Sequence, residues 1–445
     1  MSFPRYPKYK PSGVEWLGNV PEHWSVLPCR AIVQERTAKN DDAKCQDYLS
    51  LMANVGVIPY AEKGDVGNKK PEDLSKCKIV TRGDFVINSM NYGIGSYGLS
   101  DYDGVCSSVY IVLKPKNDIV ESRFAFRIFE GRSFQKFAQS FGNGILDHRS
   151  AINWDILKSI GAGIPSLEEQ QSILEFLDRE TGKIDGLVAE QRRLMELLKE
   201  KRQAVISHAV TKGLNPHAKM KPSGIEWLGD VPEEWEVKRL KYVMSIMPGF
   251  SFASSDFVDE GVQLIRIGNL YLNELSLDRD PIFLPPPFEF QYGDFIVTFG
   301  DLLMSLTGTL GKKDYGYAVL LRSASKFLLN QRVARLRCRD SIIPKYAEHL
   351  LQSRFYTEQI HRLPFGTKQA NLSSSDVLGA VIPLPPMVKQ IEIANFFDSE
   401  LGKFDTLTVE AQRAIDLLQE RRTALISAAV TGQIDVRNQP SKGKP

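Results

Sequence analysis

The sequence lacks any run of about 18 consecutive apolar residues, the length that a membrane-spanning helix needs. Its first ten residues, MSFPRYPKYK, contain no apolar segment of the kind found in a secretory signal. The sequence also lacks an excess of charge of either sign, since 56 Lys and Arg against 54 Asp and Glu leave a net charge of only +2. We therefore expect a cytoplasmic protein without a membrane span, in which any basic surface is local.

Cysteine is rare, and catalytic patterns are missing. The five cysteines are widely spaced and form no C-x-x-C pair, which argues against a zinc knuckle or a disulfide framework and favours free thiols. The segment GIGSYG at 93–98 matches G-x-G-x-x-G, but a turn and a strand follow it rather than the helix that a dinucleotide site needs. Because no nucleophile, acid–base pair or metal cluster stands out, we predict a chain that is not an enzyme.

The chain contains an internal repeat. KPSGVEWLGNVPEHW, which begins at Lys10, returns as KPSGIEWLGDVPEEW from Lys221, 211 residues later. The segment from Ile164 (IPSLEEQQSILEFLDRETGKIDG) returns from Leu384 as LPPMVKQIEIANFFDSELGKFDT, 220 residues later. The middle of each copy has diverged. Length alone suggests about three domains, but the repeat predicts one scaffold used twice with two different surfaces.

Each repeat ends in a long helical segment rich in helix-forming residues. Apolar residues recur there at alternating spacings of three and four, with Leu187 and Leu407 on the predicted seam. Opposite charges face each other if the two helices run antiparallel, because Glu180 then meets Arg421 and Lys201 meets Glu400. We predict an antiparallel coiled coil whose direction these four charges set. The alternative is that each helix packs only on its own domain.

The divergent halves have the pattern of α+β domains. DFVINSM, VYIVLKP, DFIVTF and YAVLLR are typical of strands, whereas the stretches from Arg123 to Ser140 and from Lys345 to Arg362 are typical of helices. The predicted boundaries are a first domain at 1–163, a first spacer helix at 164–213, a second domain at 214–383, a second spacer helix at 384–432 and a disordered tail at 433–445.

Each domain closes with an irregular polar segment, FGNGILDHRSAINWDILKSI in the first and LPFGTKQANLSSSDVLGAVI in the second. These segments contain side chains that can donate hydrogen bonds to phosphates and bases. A solvated loop is the alternative interpretation for any one of them. The donors are Asn143, His148, Arg149 and Asn153 in the first segment and Lys368, Gln369 and Asn371 in the second.

The order domain, helix, domain, helix resembles the specificity subunit of type I restriction-modification systems. The junctions GIPSLEEQ (163–170) and IPLPPMVKQ (382–390) carry the resemblance, together with the two SG-x-EWLG-x-VPE-x-W segments. SLTGTLGK (305–312), LLNQRVARLR (328–337) and GTKQANLS (366–373) add to it. In the first domain SMNYGIGSYG stands where SLTGTLGK stands.

The resemblance implies two target recognition domains, each reading one half of an interrupted site in double-stranded DNA, with helices that set the gap. It implies two modification subunits that bring S-adenosylmethionine and methylate adenine, and restriction subunits that use ATP and Mg for translocation and cleavage in host defence. No cofactor is expected in this chain. The alternative is a coiled-coil adaptor, also non-catalytic, that binds proteins rather than DNA.

The resemblance also suggests which residues contact DNA. Lys312, Lys313 and Lys368 would neutralise phosphates, while Arg149, Gln331, Arg332, Gln369 and Asn371 are candidates for base edges. The other candidates are polar side chains in the same segments: Asn91, Tyr92, Asn143, His148, Thr307 and Thr309.

Overall fold

The computed structural model describes residues 3–67, 69–141, 151–309, 311–363 and 369–437. The chain forms two compact units. Unit 1 contains residues 1–192 and 412–445, and unit 2 contains residues 193–411. Each unit therefore combines one divergent half of the repeat with part of each long helical segment.

Unit 1 mixes strands and helices, as predicted for an α+β domain. Its strands are β1 (Tyr9–Pro11), β2 (Asn19–Pro21), β3 (Ser25–Pro28), β4 (Val33–Glu35), β5 (Leu49–Met52), β6 (Gly56–Pro59), β7 (Lys78–Val80), β8 (Phe85–Asn88), β9 (Tyr97–Leu99), β10 (Gly104–Cys106), β11 (Tyr110–Pro115) and β12 (Gly161–Ile164). Its helices are α1 (Cys29–Ile32), α2 (Ser122–Glu130), α3 (Arg132–Ser140), α4 (Trp154–Leu157) and the first part of α5 (Leu167–Lys212).

The centre of unit 1 is an antiparallel four-stranded sheet with the order β4-β11-β8-β9. Strands β8 and β11 confirm two of the predicted strands. The helix predicted from Arg123 to Ser140 is broken at Gly131 into α2 and α3. Phe124 and Phe129 of α2 and Phe134 of α3 are buried, so the two short helices cover the core with their aromatic faces.

Unit 2 repeats this plan with additional strands. Its strands are β13 (Met220–Pro222), β14 (Asp230–Pro232), β15 (Glu236–Arg239), β16 (Met244–Pro248), β17 (Val262–Ile265), β18 (Leu270–Tyr271), β19 (Glu274–Leu275), β20 (Phe283–Leu284), β21 (Ile296–Val297), β22 (Leu302–Ser305), β23 (Thr307–Thr309), β24 (Ala318–Leu320), β25 (Phe327–Leu329), β26 (Val333–Cys338), β27 (Gln369–Asn371) and β28 (Val381–Leu384). Its helices are the rest of α5, α6 (Phe288–Gln291), α7 (Pro344–Gln352), α8 (Arg354–His361), α9 (Ser374–Gly379) and part of α10 (Met387–Val430).

The sheet β16-β26-β22-β24 of unit 2 corresponds to β4-β11-β8-β9 of unit 1. In both units a Gly-Asp turn precedes the strand β8 or β22, and the aspartate accepts a hydrogen bond from an arginine of the same sheet, which directly follows β4 in unit 1 and lies on β26 in unit 2. Asp84 accepts from Arg36 at 2.7 Å, and Asp301 accepts from Arg337 at 2.6 Å. Asn88 and Ser305, each four residues after the aspartate, therefore occupy equivalent positions at the ends of β8 and β22.

The two long helices run antiparallel, as predicted. Helix α5 has 46 residues and α10 has 44. Within unit 1, Arg422 Nε donates to Asp185 Oδ1 at 3.0 Å, and within unit 2, Arg202 Nε lies 3.6 Å from Asp405 Oδ1. In each pair, an aspartate in the first half of one helix contacts an arginine in the last quarter of the other helix. The two ion pairs are related by the 220-residue repeat.

The predicted charge pairs of the coiled coil are wrong. Glu180 binds Lys183 (2.7 Å) and Arg179 (3.2 Å) of its own helix, and Glu400 binds Lys403 (2.5 Å). Lys201 and Arg421 are exposed. Arg202 and Arg422, one residue further along each helix, make the interhelical pairs instead.

The charge pairs differ from the prediction because the heptads of both helices have a different phase. Val188 and Thr181 are buried in α5, whereas Leu187, predicted for the seam, is 46% exposed. Helix α10 shows the same shift, because Leu401 is buried and Leu407 is 45% exposed. The spacings of three and four alternate in the opposite order from the prediction, so every second seam position moves by one residue.

The predicted helix boundaries also shift slightly. Strands β12 and β28 extend to Ile164 and Leu384, so the helices begin at Leu167 and Met387 rather than at 164 and 384. The tail from 433 is ordered as far as the structure describes it: Ile434 and Val436 are buried, and Asp435 N–H donates to the Pro4 carbonyl at 2.8 Å. The prediction of disorder from 433 onward is therefore wrong for 433–437, because this segment has apolar side chains to bury.

All five cysteines are free, in agreement with the sequence. Burial raises the pKa of the Cys106 and Cys338 thiols to about 12 in both cases, which makes these thiols poor nucleophiles. None of the described helices is both long and apolar enough to cross a membrane.

Candidate nucleic-acid interface

A two-stranded antiparallel sheet in unit 2 brings together four predicted DNA contacts. Strand β23 pairs with β27, so that Thr307 lies opposite Asn371 and Thr309 lies opposite Gln369. Residues opposite each other or two apart share one face of a sheet. The four side chains therefore project from the same face, where Thr309, Gln369 and Asn371 are exposed and Thr307 is half-buried.

The opposite face of this small sheet anchors it to the core of unit 2. Ala370, between Gln369 and Asn371, is fully buried in the core cluster, and Leu372 and Leu306 beside the sheet are also buried. The apolar side chains thus fix which face points outward. A shift of one residue in the pairing would bury the polar set, so the core holds the register.

Backbone hydrogen bonds join a third segment to the sheet. Leu306 N–H donates to the Arg332 carbonyl at 2.9 Å, and Leu306 C=O accepts from Leu372 N–H at 2.8 Å. The turn that contains Gln331 and Arg332 therefore lies beside the start of β23. Both side chains are exposed.

The turn after β23 presents two lysines. Asp314 Oδ1 accepts from Thr309 N–H at 2.5 Å, and Lys312 N–H donates to the Thr309 carbonyl at 3.1 Å. A Cβ at Gly308 would lie 2.5 Å from Asp314 Oδ1, so only glycine fits this close approach. Lys312 and Lys313 are exposed on this turn and supply positive charge next to the polar face.

His361 packs against Tyr315, which follows the turn that contains Lys312 and Lys313 (the lysine turn). Its Nε2 lies 3.1 Å from the Tyr315 carbonyl, and its ring packs edge to face on Tyr315 at 4.8 Å. Burial lowers the pKa of His361, and this effect together with the charge of Lys313 outweighs the hydrogen bond to Tyr315, which raises the pKa. The imidazole therefore favours its neutral form and packs against Tyr315.

We call the segment between β8 and β9 of unit 1, and the segment between β22 and β24 of unit 2, the tip of each unit. The tip of unit 1 is built differently from that of unit 2. The segment between β8 and β9 is shorter than the one between β22 and β24 and forms a 3-10 turn at Tyr92–Ile94 in place of a strand like β23. Ile152 N–H donates to the Ser89 carbonyl at 3.1 Å, just as Leu372 donates to Leu306. The two tips therefore occupy the same place on one scaffold and present different side chains.

Three comparisons with known proteins bear on this arrangement. The sequence model for the type I restriction modification DNA specificity domain matches residues 41–191 and 232–415, which together exceed half of the chain. The chain belongs to this family. As a specificity subunit of a type I restriction-modification system it is a non-catalytic DNA-recognition protein, and each of the two matched segments lies within one of the two repeats.

The curated relatives are distant but extend over almost the whole chain. The type I restriction enzyme MjaVIII specificity subunit of Methanocaldococcus jannaschii is 24% identical over 424 residues, covering 94% of this chain and 95% of the relative. The EcoKI specificity subunit of Escherichia coli is 24% identical over 442 residues, covering 94% and 90%. A solved structure from work on assembly of the type I R-M system matches with a TM-score of 0.67 at 16% identity, covering 92% of this chain and 98% of that one, and shows that the fold is shared.

Within this specificity subunit, one predicted DNA contact is wrong. Tyr92 is fully buried, and its hydroxyl donates to the Phe129 carbonyl. Burial raises the pKa of this phenol well above its ordinary value. Tyr92 therefore belongs to the core of unit 1, because the shorter tip turns this side chain inward. Asn91, next to it, is half-buried at the start of the 3-10 turn.

Four other predicted contacts, Asn143, His148, Arg149 and Lys368, lie outside the described residues. Asn153 caps helix α4, where its Oδ1 accepts from Ile156 N–H at 2.9 Å. The structure thus brings together the unit 2 candidates that it describes, and Asn143, His148 and Arg149 of unit 1 stay predictions.

Sequence reasoning missed the turn at Ser107–Val109 in unit 1. Asn88 pairs with Tyr110 as Ser305 pairs with Val333, so Val109 occupies the position of Arg332. The signal in the sequence was the Gly-Asp turn that both repeats share. Counting from that turn along the paired strands locates the equivalent residues, although their side chains have nothing in common.

Proposed function

We propose that this specificity subunit reads an asymmetric bipartite site in double-stranded DNA, one half with each unit. The proposal rests on the observation that the tips of the two units occupy the same place on the scaffold but present different side chains. In unit 2 this place presents Thr309, Gln369 and Asn371 beside Arg332, whereas in unit 1 the same place carries a shorter turn. Two unlike surfaces on one scaffold favour two unlike half-sites.

The residues of unit 2 divide naturally by chemistry. Gln369 and Asn371 offer the paired donor and acceptor that recognise adenine in the major groove, and Arg332 offers the fork that recognises guanine. Lys312 and Lys313 on the adjoining turn supply phosphate contacts that fix the position of the unit along the duplex. A phosphate contact adds affinity for any sequence, while the polar face selects the bases.

The long helices connect the two readers. Linking two modest half-site affinities through a stiff connection makes the second contact intramolecular, which raises the overall affinity. A helix of 46 residues extends about 69 Å at the usual rise per residue. We infer that the paired helices set the spacer between the half-sites.

We further propose that two modification subunits dock on this chain in the cytoplasm and methylate adenine with S-adenosylmethionine. Restriction subunits would add cleavage driven by ATP and Mg. These activities belong to the partners, and the role of the present chain is to select the site. The family membership favours this assignment over the protein-binding adaptor.

Mapping of methylated adenines across the genome of a host with and without the gene tests the proposal. We expect one motif that depends on the gene and consists of two unlike blocks separated by a fixed number of unspecified bases. A motif that is continuous or palindromic would refute the division into two different readers. Unchanged methylation in a host that retains active modification subunits would refute the assignment as a whole.

A further inference from the structure

Four aliphatic side chains at one end of unit 1 are more than half exposed. The exposed fractions are 67% for Val55, 56% for Met90, 53% for Ile94 and 63% for Val109. We call these four residues the aliphatic patch. Exposed apolar side chains that lie together on a soluble protein mark an interaction surface.

Backbone contacts hold the segments of the patch together. Asn54 N–H, beside Val55, donates to the Gly95 carbonyl at 2.9 Å, which joins the β5–β6 turn to the turn that contains Ile94. Ser89 Oγ donates to the Val109 carbonyl at 3.4 Å, which joins the segment with Met90 to the β10–β11 turn. Three turns thus meet at the end of the sheet of unit 1 where β8 ends and where β9 and β11 begin.

The place of the patch on the scaffold decides what it binds. Val109 precedes β11 as Arg332 precedes β26, and Met90 and Ile94 lie in the tip that corresponds to Thr307–Thr309 and the lysine turn. Three of the four side chains of the patch therefore lie at the position in unit 1 that corresponds to the proposed DNA-reading face of unit 2. This correspondence favours DNA over a protein as the occupant.

The chemistry of the bases indicates which group on the DNA the patch contacts. Each base pair presents donors and acceptors in the major groove, and the only apolar group there is the C5-methyl of thymine. We propose that unit 1 recognises its half-site in part by packing the aliphatic patch against thymine methyl groups. The inference rests on the proposed function and adds to it the chemical class of base that unit 1 selects. It requires at least one A·T pair in that half-site.

Replacement of thymine by deoxyuridine tests this contact, because it removes the methyl group and leaves base pairing intact. The complex of the chain with its modification subunits is titrated with the mapped target duplex and with duplexes that carry uracil in one half-site at a time. Uracil in the half read by unit 1 should weaken binding about fourfold for each methyl group lost. Uracil in the other half should have a smaller effect.

Variants assign the effect to the patch. Val109→Ser and Ile94→Ser should each weaken binding to the thymine duplex and reduce the loss that uracil causes. Both side chains are exposed, so the substitutions are not expected to unfold the unit. Tyr102→Ser is the matched control, since Tyr102 is 39% exposed in the turn between β9 and β10, at the opposite end of β9. It should bind both duplexes as the unmodified chain does.

The outcomes separate this inference from the proposed function. If the complex binds the target no better than a scrambled duplex, both fail. If it prefers the target but uracil has no effect in either half, or the half-site of unit 1 contains no A·T pair, only the thymine contact is overturned. Serine variants that bind DNA normally but fail to assemble with the modification subunits would assign the patch to a protein and likewise overturn it.

Discussion

Arg422 in the second long helix donates a hydrogen bond to Asp185 in the first, with 3.0 Å between Nε and Oδ1. Arg422 Nη1 also lies 3.8 Å from Glu130 Oε1 at the end of α2. The repeat places Arg202 beside Asp405 in unit 2, where the 3.6 Å between Nε and Oδ1 makes an ion pair without a hydrogen bond. An arginine near the seam of each helix thus contacts an aspartate of the other helix. In unit 1 the arginine also contacts Glu130 of the recognition domain.

The Asp185–Arg422 pair should make a measurable contribution to stability. Its side chains are 56% and 31% exposed, so solvent screening limits the interaction to at most about 1 kcal/mol. We expect a double-mutant cycle with Asp185→Ala and Arg422→Ala, followed by urea unfolding, to give a positive coupling of that size. Arg421→Ala is the control and should change the free energy of unfolding by less than about 0.5 kcal/mol. Equal effects at 421 and 422 would contradict the observed heptad phase.

Lys312→Ala should weaken binding to every duplex to a similar extent, since phosphates carry no sequence information. Loss of one phosphate contact also lowers the slope of log affinity against log salt by about 0.9. Titrations at several salt concentrations measure this slope. Lys403→Ala, which removes a lysine paired with Glu400 on α10, should leave the slope unchanged. An unaltered slope in Lys312→Ala would remove this lysine from the interface.

Gln369→Ala should relax the choice of base in one half-site only. A paired hydrogen bond to a base edge contributes about 1–3 kcal/mol of discrimination. Binding to duplexes with single base-pair substitutions across both halves measures this directly. Gln46→Ala, in an exposed loop of unit 1, serves as a control. Equal loss of discrimination in both halves would argue against a local base contact.

His349 should make the stability of unit 2 depend on pH. The imidazole packs on Phe397 of α10, with ring centroids 4.6 Å apart, and burial lowers its pKa to about 4. The unfolded chain binds a proton near pH 6.5, so the contribution of the neutral ring is complete above that pH and is lost as the pH falls towards 4. Between pH 7.5 and pH 5 we expect a loss of about 2 kcal/mol in the free energy of unfolding.

His349→Gln isolates that contribution, because glutamine has no proton to gain in this range. Urea unfolding of the two proteins at pH 7.5 and pH 5 gives the comparison. The variant should lose about 2 kcal/mol less than the unmodified chain over this interval. If both lose the same amount, the histidine does not titrate differently in the folded and unfolded states.

Much of the fold was predictable, because periodicity and repetition are local signals. The strands at 85–88 and 110–115 and both long helices follow from their apolar patterns. The phase of the coiled coil did not follow, because the leucines at 187 and 407 fit a heptad as well as the buried Val188 and Leu401 do. Only the position of the opposing helix decides between these alternatives.

The candidate site was predictable where the second repeat keeps its motifs. Thr307, Thr309, Gln369 and Asn371 were predicted individually, but their meeting on one face depends on long-range pairing. In unit 1 a shorter tip turned Tyr92 into the core. A buried tyrosine and an exposed one look alike in a polar, glycine-rich segment, so the sequence carried no signal against it.

The central claim is that two linked units each read a different half of one DNA site. Affinities of the complex with its modification subunits for four duplexes test it most directly: the intact target, either half scrambled, and both halves scrambled. We predict that the intact target binds far more tightly than either single half, and that Gln369→Ala weakens binding only to duplexes with one particular half intact. An intact target that binds no more tightly than a single half would contradict the account.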